Sequence, residues 1–262
     1  HKFDASLSNQ VHLYTGGAVL SAPVITADNE VIALTEAGEL IRAGVGETAA
    51  KPLTFEREPN EATSGWACSL AVAADGRVIF ASPKGTVYVV NPTDSATDPQ
   101  PLGDGVTLSG SAVTISTQGD LAIGTNKGLF VLPNAQFSSP VLLKSAPVSR
   151  TPVFIPTSGK AVITAIYADD DGIVHNVVVD DKGTAEDRPP PKGALPLGLL
   201  PGAPAVSPVG GVAKVFIGDG AILKLLDTTE GTAVVDSQTE ALVATGPIVA
   251  APATDSDGQL FV

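Results

Sequence analysis

Ser69-Leu70-Ala71-Val72-Ala73-Ala74-Asp75-Gly76-Arg77-Val78-Ile79-Phe80-Ala81-Ser82-Pro83-Lys84-Gly85-Thr86-Val87-Tyr88-Val89-Val90 is one unit of local structure written out in full. Three runs of Val, Ile, Leu, Ala and aromatic residues are separated by two turn signals, Asp75-Gly76 and Gly85. Such runs suit pleated strands, and glycine supplies the positive φ that a tight hairpin demands. The stretch therefore reads as three antiparallel strands joined by two hairpins, the second turn glycine nine residues after the first.

The unit recurs. Its first turn returns as Asp28-Asn29, Gln118-Gly119, Ser158-Gly159, Gly210-Gly211 and Asp257-Gly258, at spacings of 40 to 52 residues. The second turn follows nine residues later at Gly38, Gly128 and Gly220. First strands are expected at residues 22–26, 69–73, 112–115, 152–155, 204–206 and 252–253, several opening on a proline, which a strand's first residue tolerates. Second strands, such as Val78-Ile79-Phe80-Ala81, are apolar without alternation, as strands covered on both faces are. A period in the forties with two hairpins per unit is the signature of a β-propeller blade.

Six blades are expected, at about 20–65, 66–108, 109–147, 148–198, 199–247, and 248–262 together with 1–15. The sixth repeat stops after its second strand, while Gln10-Val11-His12-Leu13-Tyr14-Thr15 precedes the first blade and has no partner of its own. Pairing the two removes exposed sheet edges. The expectation is an all-β, single-domain, six-bladed propeller of four-stranded antiparallel blades, closed by the N-terminal strand. Seven blades are the alternative, should sequence continue beyond Val262.

Composition narrows the partners. The net charge of −13 works against nucleic acid and anionic membrane surfaces, whose binding requires a basic patch. No run of eighteen apolar residues is present to span a membrane as a helix. Cys68 is the sole cysteine, so neither an intrachain disulfide nor a cysteine-based metal site can form, and it is read as a buried hydrophobe. No nucleophile elbow, zinc-protease helix, P-loop or dinucleotide fingerprint occurs. His175, in the third strand of blade four, is read as a half-buried structural histidine.

The repeat, an apolar strand with an early proline, Asp-Gly or an equivalent, an apolar strand, x-x-Gly, then a third apolar strand, resembles the quinoprotein-like (PQQ-like repeat) β-propeller superfamily. That superfamily includes periplasmic alcohol dehydrogenases and the lipoprotein propeller that assists outer-membrane protein assembly. The resemblance covers residues 22–262 and implies an extracytoplasmic bacterial protein, whether periplasmic, lipoprotein-anchored or secreted. The repeat's usual ending, Asp then Thr-Gly then Trp, is matched loosely by Asp227-Thr228-Thr229-Glu230-Gly231, so inter-blade tryptophan docking is expected to be absent. The quinone-dependent members need a vicinal cysteine pair or an aromatic stack. One cysteine and one tryptophan do not supply them, so PQQ is not expected.

Two features stand outside the repeat. Blade four has thirteen residues between Gly159 and Gly172 instead of nine, so its hairpin, Asp169-Asp170-Asp171-Gly172, is expected to project. Its three adjacent carboxylates make Asp169, Asp170 and Asp171 the candidate calcium ligands, calcium being the one cofactor weighed, with a solvated acidic turn favoured over it. The connections at 45–65 and 180–202 carry Trp66 and Arg188, the candidate ligand contacts, with inter-blade packing an equal reading for Trp66. No catalytic residue stands out. The leading function is a non-catalytic scaffold presenting its loops to a protein or surface polymer. The alternative is a carboxylate-based hydrolase or lyase over the central channel. Convergent Asp, Glu, Arg or His at the channel mouth would favour the enzyme, and Ala, Ser, Thr and Val the scaffold.

Overall fold

The computed structural model describes residues 17–262 apart from 21, 45–46, 48, 67, 94–96, 109, 111, 117–118, 134–139, 156–162, 181–183, 189–196, 199–200, 208–213, 228–233, 244–245, 249–250, 252, 255–259 and 262. Among the described residues, twenty-two strands form six antiparallel sheets, one per repeat. Blade one holds β1 (Val24–Ile25), β2 (Val31–Leu34), β3 (Leu40–Ala43) and β4 (Lys51–Leu53); blade two holds β5 (Ala71–Val72), β6 (Val78–Ala81), β7 (Thr86–Val90) and β8 (Thr97–Pro101). Blade three follows with β9 (Val113–Ile115), β10 (Leu121–Thr125), β11 (Gly128–Leu132) and β12 (Val141–Lys144). Blade four comprises β13 (Val153–Ile155), β14 (Ile163–Ala168), β15 (Val174–Val179) and β16 (Ala185–Arg188). Blade five comprises β17 (Ala205–Ser207), β18 (Lys214–Asp219), β19 (Ile222–Asp227) and β20 (Val234–Val243), and β21 (Ala253–Thr254) pairs with β22 (Leu260–Phe261). The expected closing strand at 10–15, and the turns at 158–159, 210–211 and 257–258, lie outside the described residues.

Strands pair in sequence order within each sheet, and the first strands of consecutive sheets touch one another from β1 through β21. That contact puts the first strands at the centre and the fourth at the rim. In blades two to four the apolar second and third strands are buried on both faces because each of these sheets is covered by its neighbours. Val78 and Phe80 pack with Ile32, Leu34 and Leu40 of blade one, whereas Ile79 and Ala81 pack with Leu121 and Ile123 of blade three. Equivalent clusters join blade three to four through Val131 and Tyr167, and four to five through Ile166 and Ile217.

A second device ties the sheets together. In each linker one apolar residue donates its N–H to the preceding blade's hairpin: Trp66 to Glu36 O, Leu102 to Gly85 O, Val148 to Thr125 O, Leu197 to Gly172 O and Ile248 to Gly220 O. All five side chains are buried. The linkers also reach the following hairpin, where Asn126 N–H donates to Thr107 O and Asp170 N–H to Pro147 O. Hairpins and linkers therefore share one face of the molecule.

Three expectations need correction. Asp169 N–H bonds Ile173 O and Gly172 N–H bonds Asp169 O, the same turn as Ser82 to Thr86 and Thr35 to Glu39, so the blade-four hairpin does not project. β14 and β15 are six residues each, as are β18 and β19 of blade five, and the stretch 156–162 that leads into β14 lies outside the described residues. Second, the connections 45–65 and 180–202 are not loops throughout, since each contains its blade's outer strand, β4 or β16. Third, one tryptophan does dock between blades. Trp66 is fully buried in the cluster joining blades one and two.

Candidate functional site

The hairpin face is built on a repeated cap. In blades one, two and four the residue that opens the tight turn directs its side chain back onto the N–H four residues on: Thr35 Oγ1 accepts from Glu39 at 3.0 Å, Ser82 Oγ from Thr86 at 3.1 Å and Asp169 Oδ1 from Ile173 at 2.9 Å. Serine and threonine have one oxygen for this task; aspartate has two. The spare oxygen of Asp169 faces His175 Nε2 at 3.0 Å, and His175 Nδ1 faces Asp187 Oδ2 at 2.7 Å. Tyr167, directly across the ladder from His175, stacks on its ring with centroids 4.5 Å apart and planes 6° apart. Burial pulls the His175 pKa down, but the hydrogen bonds to Asp187 and Asp169 outweigh it and leave it raised. The imidazolium is the form that satisfies both carboxylates, because only then do both ring nitrogens donate.

The three candidate calcium ligands are drawn apart. Asp169 is committed to Ile173 and His175, and Asp170 Oδ1 accepts from the backbone and hydroxyl of Ser149. Asp171 is exposed. Among the described residues no group of three acidic, histidine or cysteine side chains is arranged to hold a metal ion. Arg188 closes β16 opposite Asn176. Cys68 is buried, its thiol pushed up to about 11 by burial, which is the environment of an inert cysteine.

Trp66 lies beneath the surface but holds up a cleft. Its Nε1 donates to Ala62 O at 2.8 Å, and its ring rests on Gly38, where an added Cβ would sit 2.4 Å from it. Phe55 covers the group edge-on, with centroids 5.2 Å from Phe80 and 5.3 Å from Tyr88. Arg57 lies over Phe55 and Trp66, its Cζ 5.5 and 5.4 Å from their centroids, and its Nη2 donates to Gly38 O at 2.6 Å. Between this arginine and the ends of β3 and β4 opens a cleft of about 260 Å³, lined by Leu40, Pro52, Leu53 and Phe55 with Glu39, Thr54 and Arg57. Sequence reading passed over Arg57 and Asp187. The signal for Arg57 was its place as the one cation in Glu56-Arg57-Glu58, and for Asp187 its place on a polar outer strand.

The first strands are plain by comparison. The first strands carry Val, Ile, Ala, Thr, Phe and Ser and no ionisable side chain. Within the four residues before each of them, Arg150 is the sole charged side chain, and its Nε donates to Pro201 O at 3.1 Å.

No protein-family model matches the chain, and no curated protein matches it. Solved structures do. BamB from Moraxella catarrhalis superposes with a TM-score of 0.57 at 12% identity, over 91% of this chain and 65% of that one. The extracellular domain of a putative one-component system from B. thetaiotaomicron gives 0.62 at 14% identity, over 96% of this chain and 32% of that one. Virginiamycin B lyase from Staphylococcus aureus gives 0.56 at 10% identity, over 97% and 78%. The chain thus spans just under two thirds of BamB and about a third of the extracellular domain. These neighbours are β-propellers, and the likeness establishes that fold for this chain. They include a lyase and the extracellular domain of a putative one-component system, so the fold does not choose a function.

Proposed function

We propose that the protein is a non-catalytic binding propeller of the bacterial extracytoplasmic space that presents its hairpin face to another protein. One observation carries the reading. Within the four residues before the first strands, where a propeller enzyme would gather its acid and base, Arg150 is the sole charged side chain, and those strands bear none. Acid–base chemistry needs at least two convergent titratable groups, and one guanidinium is not such a pair. Extracytoplasmic placement draws support from the repeat's resemblance to periplasmic and lipoprotein propellers, and from an extracellular domain among the neighbours.

The ring, on this reading, has six blades and is closed by residues 10–15. Support comes from the segment that follows them. Ala18 O accepts Glu36 N–H at 2.7 Å and Val19 bridges Thr35, the relation that Thr107 and Pro147 have to the hairpins of blades three and four. Residues 18–19 thus stand where a linker from a preceding blade would stand.

A photo-crosslinking side chain placed at Glu39 or Thr54, both exposed on the hairpin face, and at Asp28 or Asp75, on the first turns, tests the function. A discrete protein adduct from the hairpin-face positions alone is the expected outcome. Equal adducts from both sets, or none from either, would overturn it.

A further inference from the structure

We infer that the blade-one cleft binds the C-terminal residue of a partner polypeptide, its carboxylate on Arg57 and its apolar side chain against Leu40, Leu53 and Phe55. The inference rests on the binding-module reading and names the partner's chemistry at one site.

The chain carries −13, and among the described residues four lysines and arginines are in ion pairs: Arg42 with Glu30, Lys51 with Glu47, Arg77 with Asp75 and Lys224 with Asp219. Arg57 is not. Among the described residues its guanidinium meets one backbone carbonyl, Gly38 O, and two aromatic faces, with no carboxylate in ion-pair range despite Glu56 and Glu58 on either side. The two rings and the carbonyl fix the plane of the guanidinium and use one of its five donors. A half-buried, pre-oriented guanidinium facing an open cleft is suited to a carboxylate taken up in two-pronged fashion.

The rest of the cleft specifies what carries that carboxylate. Leu40 and Leu53, paired across β3 and β4, form an apolar floor with Phe55 and Pro52 at the sides. The guanidinium and the floor share a space of about 260 Å³, enough for one residue and little more. An Asp or Glu side chain would bring its carboxylate without an apolar group on the same carbon. The last residue of a polypeptide brings both on one α-carbon. Glu39 at the rim excludes a second carboxylate and can accept the N–H of the terminal peptide unit.

Trp66 reports the event. It is the only tryptophan, and Arg57 sits on its ring. The experiment titrates the whole protein with Ala-Ala-Ala-Ala-Leu as the free acid, as the C-terminal amide, and with N-acetyl-leucine, following Trp66 fluorescence with calorimetry as a second readout. The free-acid peptide is expected to bind at least about tenfold more tightly than its amide, as loss of a charge-assisted pair implies. Arg57→Gln should remove that preference, and Arg57→Lys should restore part of it, while the circular dichroism of both variants matches the parent. Equal binding of acid and amide by the parent protein, or no binding of either, overturns the inference without needing any variant. N-acetyl-leucine binding as tightly as the peptide overturns it too, by making this a site for small acids. If crosslinks at Glu39 and Thr54 persist while acid and amide bind alike, the carboxylate inference falls and the binding module stands.

Discussion

Replacing His175 with phenylalanine keeps an aromatic ring on Tyr167 and removes both nitrogens that meet carboxylates. The cost can be worked from the geometry. The bond to Asp169 is inside the protein, with side-chain exposures of 11% and 2%, and a hydrogen bond to a charged group there contributes about 1.5–3 kcal/mol. The bond to Asp187 is shorter, but that carboxylate is 34% exposed, and solvent screening holds it to about 0–1 kcal/mol. His175→Phe should therefore cost about 1.5–4 kcal/mol at pH 6.

The sign of the pH dependence is fixed by the direction of the shift. The folded-state pKa of His175 is raised above its ordinary 6.5, so the folded protein holds the proton more tightly than the unfolded chain does. Its contribution is complete below about pH 6.5 and is lost as pH rises through the folded value. Urea unfolding followed by Trp66 fluorescence at half-unit steps from pH 5.5 to 9 should show the gap between parent and variant narrowing toward alkaline pH. What persists at pH 9 is the single donor of the neutral ring. A gap that stays constant over the whole range would refute the imidazolium assignment, and one that widens would mean that His175 is held neutral.

The remaining predictions concern the frame. Gly128→Val should cost more than Gly220→Val: both need positive φ, worth about 1–2 kcal/mol of strain, but a Cβ at Gly128 would also lie 2.2 Å from Leu143 O, whereas at Gly220 nothing lies within 4 Å. Equal losses in chemical denaturation would show that the backbone contact is not rigid. Cys68 should resist iodoacetamide at pH 8 in the native protein and react once unfolded; alkylation at native conditions would mean the blade two–three core opens. Millimolar calcium should leave the melting temperature unchanged, because Asp169 and Asp170 already have partners; a rise abolished in Asp169→Asn/Asp171→Asn would make this hairpin a calcium site. Deleting residues 1–15 should expose sheet edges and lower the melting temperature, and an unaltered melt would refute the composite sixth blade.

Glycine-marked turns made the repeat legible, since Gly38, Gly85, Gly128, Gly172 and Gly220 all adopt positive φ. Spacing between glycines was a poorer guide to what fills the interval. The interval from Gly159 to Gly172 is four residues longer than its equivalents, yet Asp169 to Ile173 closes the ordinary turn, so the added length is not at the tip of the hairpin. Outer strands were hidden for a different reason. Lys51, Pro52, Glu186 and Asp187 are exposed at the rim, so these strands lack the apolar run that marks β6 or β10. The His175–Asp187 contact joins residues twelve apart through the register of β15 on β16, and no local pattern in the chain announces a register. Arg57 was hidden by its neighbours, because two flanking glutamates suggest a satisfied charge and the stacking that turns it away from them arises only when Trp66 docks on Gly38.

The repeat itself separates positions that serve the frame from those that serve a partner. At a frame position any residue that meets one physical need will do: Thr35, Ser82 and Asp169 all cap the same turn, and Trp66, Leu102, Val148, Leu197 and Ile248 all latch a linker. Substitutions there should change stability and spare recognition. Arg57 meets no need that recurs in the other blades, and holding an arginine half-buried without a carboxylate costs desolvation that the cation–π contacts only partly offset. A frame position under no other demand would be better filled by a neutral residue. Conformational stability should therefore be unchanged or higher in Arg57→Gln while acid-terminated peptide binding is lost, and a variant that instead loses stability with binding intact would return Arg57 to the frame.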